Sequence, residues 1–200
     1  MQKIGFFGGS FNPITKAHVN LVQDIINKYK LDKIVFVPVG DYYEKEELIN
    51  EKHRFNMIRM LVSKFPKLEV SDIELNHKEK IFAKDIFKML KSIYYEDDIY
   101  FIIGADNLYK MTSWLNLEEL VQYNYIIIER DNIHCDSIIN TNSIIKKNKT
   151  NFKIINNRKY NNFSSTLVRN KIKQNDIDDI TNYIFEETYK YIKENELYIR

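Results

Sequence analysis

Apolar positions along this chain follow two alternating rhythms. Short, nearly unbroken runs such as Ile4-Gly5-Phe6-Phe7, Ile34-Val35-Phe36-Val37, Ile99-Tyr100-Phe101-Ile102-Ile103 and Tyr125-Ile126-Ile127-Ile128 suit strands buried on both faces. Between them, apolar residues recur at helical spacing. The pattern predicts strands over Lys3–Phe7, Lys33–Val39, Leu68–Leu75, Ile99–Ile103, Tyr125–Glu129 and Phe152–Ile155. It predicts helices over Lys16–Tyr29, with Leu21, Val22, Ile25 and Ile26 inward, and over Glu51–Phe65, with Phe55, Met57, Ile58, Leu61, Val62 and Phe65. Further helices are expected over Phe82–Ile93, with Ile86, Met89, Leu90 and Ile93 on one face, over Leu117–Gln122, and from Ser165 onward. Asp131–Thr150 is polar and Asn-rich and reads as a long surface excursion. Strands alternating with helices imply right-handed crossovers and a parallel sheet in an α/β architecture. No repeat or Pro/Gly/Ser linker divides the chain, so one domain is expected, with a helical segment over residues 165–200.

Composition narrows the functional classes. The net charge of +2 lacks the basic excess of a dedicated nucleic-acid binder, and Lys146, Lys147 and Lys149 read as a solvated loop. The single cysteine, Cys135, forms neither an internal disulfide nor a four-cysteine zinc site. Met1-Gln2-Lys3 leads into a core strand without a signal peptide. No apolar run approaches the roughly 20 residues of a membrane span. A cytoplasmic protein is expected, binding neither nucleic acid nor membrane. Self-association into a homo-oligomer is left open.

In a parallel sheet the ligand sits outside the carboxyl ends of the strands. That rule gathers Gly8–His18, Pro38–Lys45 and Gly104–Asp106 on one rim. Gly8-Gly9-Ser10 ends the first strand, where glycines permit close backbone approach, and a helix start follows with free N–H groups and partial positive charge. This is an anion site, with phosphate as its usual occupant. Thr15 and His18 add a hydroxyl and an imidazole. On the second motif Lys45 either reaches a phosphate or is a solvated surface lysine, and Arg54 either clamps a phosphate or pairs with Glu51 or Glu47. On the third, Asp106 either accepts from ribose hydroxyls or caps a helix, and Trp114 is either core or a stacking plate. A fourth motif, Ser164-Ser165-Thr166-Leu167-Val168-Arg169, places hydroxyls at a helix start with Arg169 one turn on, a second anion site or a simple cap. Two phosphate sites, an acid and a ring point to two nucleotide-like substrates or one triphosphate. Neither the P-loop nor the Gly-x-Gly-x-x-Gly fingerprint is present.

Gly-Gly-Ser-Phe-Asn-Pro-Ile-Thr-Lys-Ala-His resembles the (His/Thr)-x-Gly-His signature of the nucleotidyltransferase superfamily, and Ser-Ser-Thr-x-x-Arg its second signature. Gly104-Ala105-Asp106 with Trp114, the Val39–Lys45 stretch leading to His53-Arg54, and the Tyr189–Tyr198 terminus resemble the nicotinate/nicotinamide mononucleotide adenylyltransferases. The resemblance implies a Rossmann-like fold with helices on both faces, and adenylyl transfer from ATP, with Mg²⁺, to a pyridine mononucleotide in NAD biosynthesis. It implies that Gly8, Gly9, Ser10, Phe11, Thr15, His18, Gly104, Asp106, Ser165, Thr166 and Arg169 bind ATP, with His18 on the α-phosphate. Ser10, Lys45, Arg54, Asp106 and Trp114 would hold the mononucleotide, Ser10 and Lys45 on its phosphate. His18, Thr15 and Arg169 would carry catalysis. This sequence departs from the bacterial pattern in having Thr15 for histidine, Ala17 for glycine and Ala83 for threonine, and its Val39–Lys45 stretch is closer to the eukaryotic form, which accepts both pyridine nucleotides. Phosphopantetheine adenylyltransferase, a non-catalytic nucleotide sensor of the same fold and a cytidylyltransferase are the alternative readings.

Overall fold

The protein was analysed as a computed structural model, which describes residues 1–42, 47–75, 77, 79–114, 116–130, 133–156 and 164–199. In chain order the elements are β1 (Lys3–Gly9), α1 (Lys16–Tyr29), β2 (Lys33–Pro38), α2 (Glu51–Val62), β3 (Leu68–Val70), α3 (Ala83–Ile93), β4 (Asp98–Gly104), α4 (Ala105–Met111), α5 (Leu117–Leu120) and β5 (Asn124–Glu129). Then come α6 (Cys135–Thr141), α7 (Ser143–Lys147), β6 (Phe152–Asn156), α8 (Ser165–Lys173) and α9 (Glu186–Glu194). The strands form one six-stranded sheet in the order β3-β2-β1-β4-β5-β6, and every pairing is parallel. This is the doubly wound Rossmann-like arrangement. The chain winds outward in both directions from β1, which leaves a crevice at the carboxyl ends of β1 and β4.

Alternation along the strands builds two cores. Ile4 and Phe6 of β1 join one cluster with Phe87, Phe101 and Tyr125, while Phe7 joins the other with Val22, Met57, Val168 and Ile192. The first packs beneath α3 to α7, the second beneath α1, α2, α8 and α9. Helix α1 starts at an N-cap threonine and stops where Lys30 adopts a left-handed conformation, its N–H bonding Ile26.

The expected elements are present, with four differences. The strand anticipated over Leu68–Leu75 ends at Val70, because Ser71 to Leu75 turn away, the Leu75 N–H bonding Asp72. A helix, α4, follows β4 directly and had not been anticipated from its mixed pattern. Helix α5 stops at Leu120. The Asp131–Thr150 excursion is instead a helical crossover over its described residues. Cys135, Ile139 and Ile145 point into the first core, so sparse apolar residues at helical spacing are sufficient there. Burial first, then Glu129, pushes the Cys135 thiol up to about 12, which leaves it inert. Lys146, Lys147 and Lys149 are exposed, as expected, though the first two close a helix. Among the described residues no helix is long and apolar enough to cross a membrane.

Candidate active site

The β1–α1 loop turns on Phe11. Its backbone lies in the left-handed region at φ 45, and its ring is buried edge-on against Phe7, Phe36 and His18, each with centroids 5.3 Å away. A side chain on Gly9 would sit 2.9 Å from that ring, whereas one on Gly8 would meet none of the described residues within 4 Å. The two glycines therefore differ in role. Gly9 makes room for Phe11, and Gly8 faces open space at the strand end, where a ligand can approach. The Phe11 ring, named at the ATP site by the sequence, is buried in the core and buttresses His18.

Thr15 caps α1 and pairs with His18 at the third helical position. The Thr15 backbone N–H donates to His18 Nδ1 at 3.0 Å, and Thr15 Oγ1 lies 2.8 Å from the same nitrogen. A backbone N–H can only donate, so Nδ1 must accept and the ring proton resides on Nε2. Desolvation first, then the charge of Arg130, lowers the His18 pKa to about 4. The imidazole is thus neutral near pH 7 and presents an N–H through Nε2. Thr15 itself is fully enclosed. Its hydroxyl is engaged with His18, and it orients that ring rather than facing a ligand.

Helix α8 docks its N-terminus on this loop. Ser164 is the N-cap, accepting from Leu167 N–H at 3.1 Å, and the Ser165 hydroxyl donates to the Pro13 carbonyl at 2.8 Å. Arg169 Nη1 donates to the Asn12 carbonyl at 3.0 Å and Nη2 contacts Thr166 Oγ1 at 3.4 Å. The two sequence motifs, far apart in the chain, form one continuous rim. Asn12, overlooked at the sequence level, is its hub: its side chain accepts from Tyr198 Oη at 2.9 Å and donates to the Glu47 carbonyl at 2.8 Å. Thr166 remains exposed at the helix start.

Arg54 is placed otherwise than expected. It is fully buried, with Nε on the Ile49 carbonyl at 2.9 Å, Nη1 on the Ser10 carbonyl at 3.1 Å and Nη2 on Asp41 Oδ1 at 3.3 Å. It is a strut beneath Ser10, paired with Asp41 and favoured by the nearby charge of Glu51, and its buried guanidinium supports the loop. Asp41 in turn accepts from the Glu51 N–H at 2.7 Å and fixes the start of α2. Nearby, Glu74 is buried and accepts from Tyr42 Oη at 3.0 Å; burial raises its pKa to about 7. The Lys45 expectation lies outside the described residues.

On the far side of the crevice Asp106 occupies the first turn of α4, folded back over Gly104, where any side chain would strike its carboxylate. Gly104, not Asp106, is the cap residue. Asp106 pairs with Arg130 at 3.1 Å. Arg130 directly follows β5 and was missed, although the rim rule that selected Asp106 also selects it. Trp114 is half-buried, packed on the first core.

The site thus combines a neutral imidazole donor, two helix N-termini facing one loop, and basic groups around a crevice. This is a place for a polyphosphate and its in-line partner. A cytidylyltransferase-like family model matches residues 6–171. A "probable nicotinate-nucleotide adenylyltransferase" of Carboxydothermus hydrogenoformans is 34% identical over 98% of each chain, and one of Clostridium tetani is 30% identical over 99% of this chain and 100% of its own. The structure of Plasmodium falciparum nicotinic acid mononucleotide adenylyltransferase complexed with NaAD superposes with a TM-score of 0.80 at 31% identity, covering 99% of this chain and 98% of that one. A second structure of that enzyme, with APC, gives 0.78 at 30% identity. By motif, by sequence and by fold, the chain belongs to the cytidylyltransferase-like nucleotidyltransferases and, among them, to the nicotinate-nucleotide adenylyltransferase family.

Proposed function

We propose that the protein transfers the adenylyl group of ATP to nicotinate mononucleotide, forming deamido-NAD and pyrophosphate. The observation that carries the mechanism is the His18 ring, locked by the Thr15 N–H with Nε2–H outward. The nucleophile is a phosphate oxygen of the mononucleotide, already ionised, so no general base is needed. It attacks the α-phosphorus as the bond to the β-phosphate oxygen breaks, and pyrophosphate leaves. Catalysis then reduces to positioning and stabilisation of charge. His18 donates to the α-phosphate, Thr15 orients it, and Gly8 and Gly9 bring backbone close. Ser165, Thr166 and Arg169 hold the remaining phosphates. Ser10 and Lys45 take the mononucleotide phosphate, Asp106 its ribose, and Trp114 stacks on the pyridine ring.

Bound together with ATP, Mg²⁺ would supply charge neutralisation on the triphosphate. Coordination by phosphate oxygens and water asks few ligands of the protein, and the described residues group no three His, Cys, Asp or Glu side chains.

Initial rates of pyrophosphate release, with nicotinate and nicotinamide mononucleotides side by side, test the reading. Turnover with nicotinate mononucleotide and ATP is expected. Turnover only with phosphopantetheine, or only with CTP in place of ATP, overturns it, as does tight dinucleotide binding without turnover in Mg²⁺.

A further inference from the structure

Arg169 does not wait open for a phosphate. Its Nε and Nη2 both donate to Glu47 Oε2 at 3.1 Å, and Lys173, one turn further along α8, pairs with the other oxygen of the same carboxylate. Counted with the bonds to Asn12 and Thr166, four of the five guanidinium N–H groups are engaged. Both cations sit on one helix face, four residues apart, directly behind the hydroxyls at its start. A carboxylate that takes a guanidinium through two nitrogens and an ammonium through its second oxygen occupies the geometry that a phosphate would take.

Glu47 is also held in an unusual backbone conformation. Its φ is 62, a left-handed value that costs a residue with a Cβ, and its carbonyl is tied to Asn12 Nδ2 at 2.8 Å. Buried structural carboxylates are screened from water, yet this side chain is 36% exposed. Its attraction to the two cations is therefore modest and reversible. Lys173 first, then Arg169, lowers its pKa, so it stays ionised.

We infer that Glu47 is a resident anion of the ATP-phosphate site, that Lys173 is a second phosphate-binding cation beside Arg169, and that the triphosphate enters by displacing the Glu47 carboxylate. This rests on the assignment of Arg169 to the ATP phosphates made above. The two cations face one carboxylate when the site is empty and several phosphate oxygens when it is filled. Glu47 thereby sets the threshold that a polyanion must pass, and a singly bound inorganic phosphate competes poorly against a tethered carboxylate. Glu47 is a positioning residue in this scheme, since it touches Arg169 and Lys173 rather than the reacting atoms.

Calorimetric titration of the protein with inorganic tripolyphosphate and with Mg·ATP tests the inference, together with the KM values for ATP and for nicotinate mononucleotide. Glu47→Gln is expected to bind both ligands about fivefold tighter, the scale of one exposed ion pair, with the KM for ATP falling and that for the mononucleotide unchanged. Glu47→Gly, which suits the left-handed backbone, gives the same tightening and covers poor folding of the first variant. Adding Lys173→Met to Glu47→Gln abolishes the gain. Equal or weaker binding by both Glu47 variants makes the carboxylate a structural strap and overturns the inference. So does a double variant that binds as tightly as Glu47→Gln, or a protein that binds no tripolyphosphate. Absence of turnover with any pyridine mononucleotide, while tripolyphosphate still binds tighter to Glu47→Gln, refutes the adenylyl-transfer reading and leaves the inference standing.

Discussion

The backbone N–H of Thr15 donates to His18 Nδ1 at 3.0 Å, and this contact decides which imidazole nitrogen faces the crevice. With the proton confined to Nε2, His18 is a hydrogen-bond donor without being a cation. His18→Ala is therefore expected to lower kcat by about 100-fold or more while the fold persists. Thr15→Ala keeps the backbone donor. It should lose about 1 kcal/mol of stability through its cap and less activity than His18→Ala. Steady-state rates beside thermal melts check both, and near-normal turnover in His18→Ala would sink the donor role.

The pH dependence of stability carries two opposed contributions. His18, lowered from 6.5 to about 4, binds its proton more weakly when folded, so its contribution is complete above pH 6.5 and is lost as pH falls toward 4. Glu74, raised from 4.5 to about 7, holds its proton more tightly when folded, so its contribution is complete below pH 4.5 and is lost as pH rises through 7. The windows overlap and the slopes have opposite sign. Relative to the wild type, Glu74→Gln should gain stability as pH rises through this range, by up to about 3 kcal/mol at pH 8. Denaturant titrations at several pH values measure the difference, and the His18 ring resonances should titrate with a midpoint about 4.

Gly8→Ala separates ligand approach from folding. Its added methyl meets no atom of the described residues within 4 Å, so the melting temperature should hardly move, whereas the KM for ATP should rise several-fold if backbone at this strand end lies against the nucleotide. Gly9→Ala drives a methyl into the Phe11 ring and should cost stability instead. Equal ATP affinity in Gly8→Ala removes this glycine from the binding surface.

Arg54→Met tests the strut. Removing a guanidinium that holds the Ser10 carbonyl and Asp41 from a fully buried position should cost about 3 kcal/mol. Chemical denaturation would show it. Unchanged stability with a selective rise in the mononucleotide KM would restore Arg54 as a ligand.

Much of the fold is legible in local pattern because strands buried on both faces must be apolar throughout and their covering helices must be apolar on one side. Lys16–Tyr29 shows its boundaries directly, since Thr15 and Lys30 cap it. Where the pattern is diluted, as over Cys135–Lys147, a few buried positions carry a helix and the surrounding polar residues conceal it.

The candidate site divides along the same line. Residue type, order and strand-end position alone suffice to locate Gly8, His18, Asp106, Ser165 and Arg169 on one rim, because the ligand position in a parallel sheet follows from topology. Partnership does not follow from order. Arg54 and Arg169 look alike in the chain, yet one is enclosed beneath Ser10 and the other lies at the rim against Glu47. Phe11 sits inside a binding motif and belongs to the core, while Arg130 sits outside every motif and joins Asp106. Charge, tautomer and burial depend on which groups the folded chain brings within a few ångströms, and these contacts join residues distant in sequence. Hydrophobic rhythm was enough to specify the scaffold and its rim; the division of that rim into struts, counter-ions and donors exists only in three dimensions.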